Sequence, residues 1–180
     1  MNSSVSVIVP VFRGGQDFRE SLNSLTRCSP PPREIIVVVD GEDGIDYSFV
    51  TLAGCRLLVL ESNSGPAVAR NFGVEHAKGD IILFIDSDVV VQEDLIEQVL
   101  AGFASGDGVS AIIGSYDDSP AKPDFFSQYR NLLHHFVHQN GEKSASTFWG
   151  ACGAVKREVF KMVGGFSSSY RRPSIEDIEL

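Results

Sequence analysis

The feature that most constrains this chain is the stretch Gly79-Asp-Ile-Ile-Leu-Phe-Ile-Asp-Ser-Asp88. Asp80 to Ile85 reads as a buried strand with no polar side to turn to water. Such a strand belongs inside a sheet covered on both faces, as in parallel sheets flanked by helices. It ends in two carboxylates, Asp86 and Asp88, with Ser87 between them. Residues two apart on a strand share a side, and neighbouring carboxylates repel and raise each other's pKa. A hard divalent cation, Mg²⁺ or Mn²⁺, relieves that repulsion through oxygen ligands, often one or two carboxylates completed by substrate phosphates. Taken alone, Asp-Ser-Asp also suits an acidic turn.

The rest of the chain repeats the pattern. Val5 to Phe12 is an apolar, β-branched run whose regular strand is expected to end near Pro10, which has no N–H for a ladder. Arg13-Gly14-Gly15 is a turn, and Gln16 to Arg27 has helical spacing (Phe18, Leu22, Leu25). Glu34 to Asp40 is a second strand and Cys55 to Leu60 a third, with residues 45–53 ambiguous between loop and short helix. Pro66 fits the first position of a helix running to about Ala77, capped by Ser64 or Gly65. After the Asp80–Ile85 strand come a helix over Gln92–Phe103, a strand over Gly108–Gly114 and a strongly amphipathic helix over Phe125–His138. That helix carries Phe125, Tyr129, Leu132, Leu133, Phe136 and Val137 on one face. Ser146 to Val155 is strand-like, and Arg157 to Val163 a short helix. Alternating strands and helices imply a mostly parallel α/β sheet, whose ligands bind at the carboxyl ends of its strands. Arg13, Asp40, the 61–66 loop and Asp86/Asp88 all follow a strand, so four polar loops are expected on one edge.

Length suits one domain with a sizeable core. Twenty-four acids against 15 basic residues, net charge −9, argue against a general nucleic-acid binder. Cys28, Cys55 and Cys152 match no zinc spacing and read as reduced thiols of a cytoplasmic protein. No apolar run reaches the roughly 18 to 20 residues of a membrane span. The chain stops at Ile175-Glu-Asp-Ile-Glu-Leu180, inside what reads as the opening of a helix, so a longer protein is expected. Membrane association, at the inner face, would then rest on segments outside this sequence.

Single residues carry alternatives. Asp40 is a nucleotide base or ribose acceptor, or a turn residue. Arg70, one turn inside a helix whose N-terminus attracts anions, reaches a phosphate, holds an acidic loop, or lies on the surface. His134 and His138 have a metal-ligand spacing, but both project away from the apolar face and no H-E-x-x-H is present; a solvated face or partner contact is expected. Trp149 is either core or a platform for a sugar's apolar face. Glu176-Asp177 is either a base-bearing pair or an acidic helix start favoured by the dipole. Neither the dinucleotide fingerprint nor the P-loop motif occurs.

Together the motifs resemble a known family. Val5–Phe12, Glu34–Gly41, Asn63–Gly73, Gly79–Asp88, Gly164-Gly-Phe166 and Glu176-Asp177 occur in the order found in family 2 glycosyltransferases of the GT-A fold, across essentially the whole chain. The resemblance implies an inverting transfer of a sugar from a nucleotide-diphospho-sugar donor (UDP-, GDP- or dTDP-linked) to an acceptor glycan or lipid-linked glycan, with Mg²⁺ or Mn²⁺. It implies a nucleotide-binding part over about 1–115 and the start of an acceptor part over about 116–180. Pro10, Val11, Phe12, Arg13, Asp40, Asn63, Gly65, Pro66, Arg70, Asp86 and Ser87 are then expected at the nucleotide sugar. Asp86 and Asp88 become the DxD metal pair, with Asp88 the direct ligand. Trp149, Gly150 and Glu176 are placed at the acceptor, and Asp177 as catalytic base. Val39 and Glu42 stand where the family has Asp and Ser around Asp40-Gly41, and Arg13 where Asn is common. A sugar nucleotidyltransferase and a non-catalytic domain with a decayed site are the alternatives.

Overall fold

The computed structural model describes residues 3–106, 108–118, 124–140 and 147–169; the side chain of His138 is left out. The described strands form one six-stranded sheet in the order β3-β2-β1-β4-β6-β5. These are β1 (Val5–Val11), β2 (Glu34–Val39), β3 (Arg56–Val59), β4 (Ile81–Ile85), β5 (Ala111–Ile113) and β6 (Cys152–Lys156). The first four are mutually parallel, and β6 runs antiparallel to both β4 and β5. The helices are α1 (Gln16–Thr26), α2 (Ser48–Leu52), α3 (Pro66–His76), α4 (Leu95–Ala104), α5 (Phe125–Asn140) and α6 (Arg157–Val163). Residues 45–53 thus resolve into a short helix at their end.

The unbroken apolar strands follow from two-sided burial. Val5, Val7, Val9, Val11, Val37, Ile81, Leu83 and Ile85 meet Phe18, Leu22 and Leu25 of α1 and Ile96 and Val99 of α4. On the opposite face Ile8, Ile36, Val38, Ile82 and Phe84 meet Ala67, Ala69 and Val74 of α3 and Phe160 of α6, with Phe148 and Phe166 beside them. Each such aliphatic or aromatic side chain contributes about 1.5–3 kcal/mol on burial. Helix α3 lies close to β1 because Gly73 has no side chain: a Cβ there would sit 2.5 Å from Ile8 Cγ2.

The first strand runs one residue past Pro10. Odd residues of β1 bond toward β2, as Val11 O does to Asp40 N at 2.8 Å. The missing N–H of Pro10 therefore faces β4, and the β1–β4 register has already ended at Ile8↔Phe84. A central strand thus tolerates proline where no ladder bond is lost.

The larger departure is α5. An apolar stripe on an amphipathic helix ordinarily faces a core. Instead Phe125 (74% exposed), Phe126, Tyr129, Leu132, Leu133, Phe136 and Val137 all face outward. The polar side does the docking: Asn131 Nδ2 donates to Asp117 O (2.7 Å), His135 Nδ1 to Tyr116 O (2.7 Å), and Gln139 Nε2 to Ser115 Oγ (3.2 Å). The carbonyls of the 115–117 segment after β5 need hydrogen-bond donors, and the polar side of α5 supplies them to Tyr116 and Asp117.

Candidate active site at the strand-order switch

In the order 3-2-1-4 the chain reverses direction across the sheet between β1 and β4, the point where open α/β sheets bind ligands. A cleft of about 350 Å³ lies there, lined by Phe12 to Phe18 from the loop after β1 and by Ser87 and Asp88 after β4. A broader hollow of about 1120 Å³ opens at the other end of β4, lined by Asp80, Ile81 and residues of α4 and the β6–α6 junction, away from the Asp86–Asp88 pair.

Each wall has its own clamp. After β2, Asp40 is 5% exposed and takes one backbone N–H on each carboxylate oxygen, from Ser64 (2.7 Å) and Gly65 (2.9 Å). Its first task is therefore to fix the loop that starts α3. Gly41 makes this possible: at φ +91 it follows Asp40, and a Cβ there would lie 2.5 Å from Asn63 N. Gly65 caps α3 without a side-chain bond and Pro66 takes its first position, while Asn63 stays exposed.

Sequence reasoning missed the second clamp. Asp43 Oδ2 accepts from Arg13 N (2.9 Å) and from Tyr47 Oη (2.6 Å), and Asp43 Oδ1 from Ile45 N (2.9 Å). Tyr47 Oη in turn accepts from Gly14 N (2.9 Å). Two residues from the 41–53 segment thereby hold the loop after β1, where Arg13 adopts φ +55, rare for a side-chain-bearing residue. Burial and the bond to Asp43 push the Tyr47 phenol up to about 12. Burial also pulls the Asp43 carboxyl up, but the bonds from Tyr47, Ile45 and Arg13 outweigh it and leave the pKa below the usual range. The only sequence signal was a polar turn followed by Tyr47, which reads as ordinary loop chemistry.

The third clamp joins α3 to β4. Arg70, 5% exposed, donates from Nη2 to Asp86 Oδ1 at 2.7 Å. Of the alternatives for Arg70, holding the acidic loop is the one seen. The Phe166 ring lies 5.5 Å from its Cζ, and Gly150 abuts it so closely that a Cβ would sit 3.0 Å from Cζ. Asn71 pins the same segment by a reciprocal pair with Phe166, Nδ2 to O (2.8 Å) and N to Oδ1 (3.0 Å). This explains the Gly164-Gly-Phe166 motif: the turn after α6 returns beneath Arg70.

On the far wall, Tyr116, His134 and Trp149 form a three-ring cluster, with centroids 5.3 Å (Tyr116–His134), 5.5 Å (Tyr116–Trp149) and 5.6 Å (His134–Trp149) apart. His134 is exposed, as expected of a solvated face, and its ring also stacks on Tyr116. Burial first, then the charges of Asp88 and Asp86, raises the Tyr116 phenol, which places it beside the carboxylate pair. Burial and Asp86 push the Cys152 thiol up to about 11. Glu176 and Asp177 lie outside the described residues.

The donor set suits a shared cation. Asp86 and Asp88 offer the oxygens Mg²⁺ or Mn²⁺ prefers, yet among the described residues no group of three or more His, Cys, Asp or Glu side chains is gathered to enclose an ion. With Asp86 Oδ1 committed to Arg70, the pair fits an ion that completes its shell from a substrate's phosphates.

A family model described as "Glycosyl transferase family 2" matches residues 6–164. The chain belongs to that family. It is 25% identical over 189 residues to the glucosyl-dolichyl phosphate glucuronosyltransferase of Haloferax volcanii, covering 99% of this chain and 60% of that protein. It is 31% identical over 121 residues to glycosyltransferase GlyG of Streptococcus pneumoniae, covering 64% of this chain and 40% of the relative. Among solved structures, the mannosyltransferase PcManGT of Pyrobaculum calidifontis, in complex with GDP-Man and Mn²⁺, superposes with a TM-score of 0.71 at 23% identity, over 99% of this chain and 50% of that one. S. aureus TarS 1-349 in complex with UDP-GlcNAc gives 0.68 at 21% identity, over 97% and 51%. These likenesses establish the GT-A glycosyltransferase fold, and this family 2 glycosyltransferase spans roughly 40–60% of the length of the proteins named here.

Proposed function

We propose that the chain carries the donor half of a metal-dependent, inverting glycosyltransferase that moves a sugar from a nucleotide-diphospho-sugar to an acceptor hydroxyl. One observation carries this reading: buried Arg70 holds Asp86 at 2.7 Å next to Asp88, at the mouth of the switch-point cleft. The guanidinium offsets one carboxylate charge and so eases the repulsion between the two side chains. Asp88, exposed at the cleft, would ligate the cation, with Asp86 held beside it. The bound cation would neutralise charge gathering on the departing nucleotide diphosphate.

The loop Pro10–Arg13, held by Asp43 and Tyr47, and the loop Asn63–Pro66, held by Asp40, would flank the nucleotide. Asp40 meets a ribose or base only through lone pairs its two backbone donors leave open. In the transfer, the acceptor oxygen bonds to the anomeric carbon, the bond from that carbon to the diphosphate oxygen breaks, and its electron pair leaves on the nucleotide diphosphate. Attack opposite the leaving group inverts the centre. The resemblance assigns the acceptor proton to Asp177, and such a base contributes roughly 10²- to 10⁴-fold. Trp149 and Gly150, with Glu176, would border the acceptor. The Haloferax relative, named for a dolichyl-phosphate-linked sugar, supports a lipid-linked glycan as acceptor class, in glycan, polysaccharide or glycolipid synthesis.

The test pairs two readouts on Asp177→Asn. Transfer should fall by at least about 10² while donor affinity in Mn²⁺ stays near wild type. Full transfer in that variant would remove Asp177 from the mechanism.

A further inference from the structure

The outward face of α5 is the largest feature the site does not use. At 100° per residue its seven apolar side chains span an arc of about 140°, on the side of the helix opposite His134, Asn131 and His135. All seven are 43–76% exposed. Monomeric soluble proteins rarely leave a contiguous apolar patch of this kind uncovered.

We propose that this face of α5 docks the protein on the surface of a lipid bilayer, with the helix lying flat at the headgroup boundary. Composition separates a bilayer from other occupants. The chain carries 24 acids and a net charge of −9, which repels an anionic membrane. Yet residues 125–140 contain no acid, and carry Arg130 and three histidines. Among the described helices of seven residues or more, α5 alone lacks Asp and Glu: α1 has Asp17 and Glu20, α3 Glu75, α4 Glu97 and α6 Glu158. The exposed arc is rich in rings (Phe125, Phe126, Tyr129, Phe136) around Leu132, Leu133 and Val137, the mixture that sits at a lipid–water boundary. At 16 residues, about 24 Å, the helix is too short to cross a bilayer, so it would lie on the surface.

The orientation has a consequence for the site. The other side of α5 is bonded to the 115–117 segment and stacked on Tyr116 and Trp149, so a bilayer under α5 lies one helix diameter, roughly 10–12 Å, from the aromatic wall beside Asp86 and Asp88. This docking stands on the helix surface alone and does not depend on which reaction the site performs.

Flotation of the full chain with vesicles of phosphatidylethanolamine and phosphatidylglycerol tests it, alongside sedimentation velocity without lipid. Wild type should float with the vesicles. Leu133→Glu/Phe136→Glu should reduce bound protein by at least about tenfold, with an unchanged circular dichroism spectrum. Leu52→Glu, an exposed apolar site on α2 (85% exposed), should float like wild type. Folded wild type that stays with the free protein overturns the proposal, as does equal flotation of the double variant. A concentration-dependent dimer abolished by the same double substitution also overturns it, because the face would then be a contact between copies.

Discussion

The two walls of the candidate site are held by opposite means. On the β1–β2–α3 side, buried or half-buried groups lock the backbone: Asp40 takes the amides of Ser64 and Gly65, Asp43 and Tyr47 take those of Arg13 and Gly14, and Arg70 grips Asp86. On the α5 side, stacked rings and a few side-chain-to-carbonyl bonds attach a helix whose apolar face looks outward. On the proposed reading, the first wall would hold one geometry for the nucleotide diphosphate. The second has few buried apolar contacts and is the wall where an acceptor, variable in shape, would be accommodated.

Substitutions can sharpen or break this contrast. The largest effect is expected at Asp88→Ala, which should abolish metal-dependent nucleotide binding by calorimetry without lowering the melting temperature. Retained metal-dependent affinity would place the cation elsewhere. Next comes Arg70→Ala. It takes the guanidinium away from Asp86 and leaves a void, and because Asp86 is 35% exposed the loss of stability should be about 2–3 kcal/mol rather than the full 3–5 of a wholly buried pair. Gly150→Ala, which presses on the guanidinium, should cost activity more than stability.

Tyr47→Phe should cost about 1 kcal/mol through the bonds to Asp43 and Gly14. Its pH dependence has a definite sign. The folded pKa is raised to about 12, so the contribution is complete below the unfolded value near 10 and disappears as pH rises from about 10 to about 12. Denaturant titrations of wild type and variant should therefore converge over that window; a constant gap would show that Tyr47 is not bonded to a carboxylate. The smallest effect belongs to the second wall. Leu133→Glu on α5 should change stability by no more than about 0.5 kcal/mol, against about 2–5 for Leu22→Ala in the core. A large loss at Leu133 would show that the face is covered within the protein itself.

The same contrast explains what was legible in the sequence. In the first half, strands covered on both faces read as unbroken Val/Ile/Leu runs, and Pro66 and Gly79 mark helix boundaries, so the elements and the convergence of loops on one edge followed from local pattern. Arg70's task was among the readings because an arginine one turn inside that helix can reach an acidic loop, but its burial was not legible. Asp43 and Tyr47 were not legible, since their partners are backbone amides 30 and 33 residues earlier and any turn-rich segment looks the same. For α5 the pattern was plain but its direction was not: periodicity says that one face is apolar, not which face the rest of the chain will meet. Here hydrogen-bond demand from the carbonyls of Tyr116 and Asp117 set the orientation, and with it the place of His134.

The most direct test is calorimetric titration of UDP, GDP and dTDP into the chain, each in Mn²⁺ and again in EDTA. Tight binding of one nucleotide in Mn²⁺, lost in EDTA and lost in Asp88→Ala, is the predicted result. Binding that ignores the metal, or no binding by a folded chain to any of the three, would contradict a cation-assisted nucleotide-sugar site at the switch between β1 and β4.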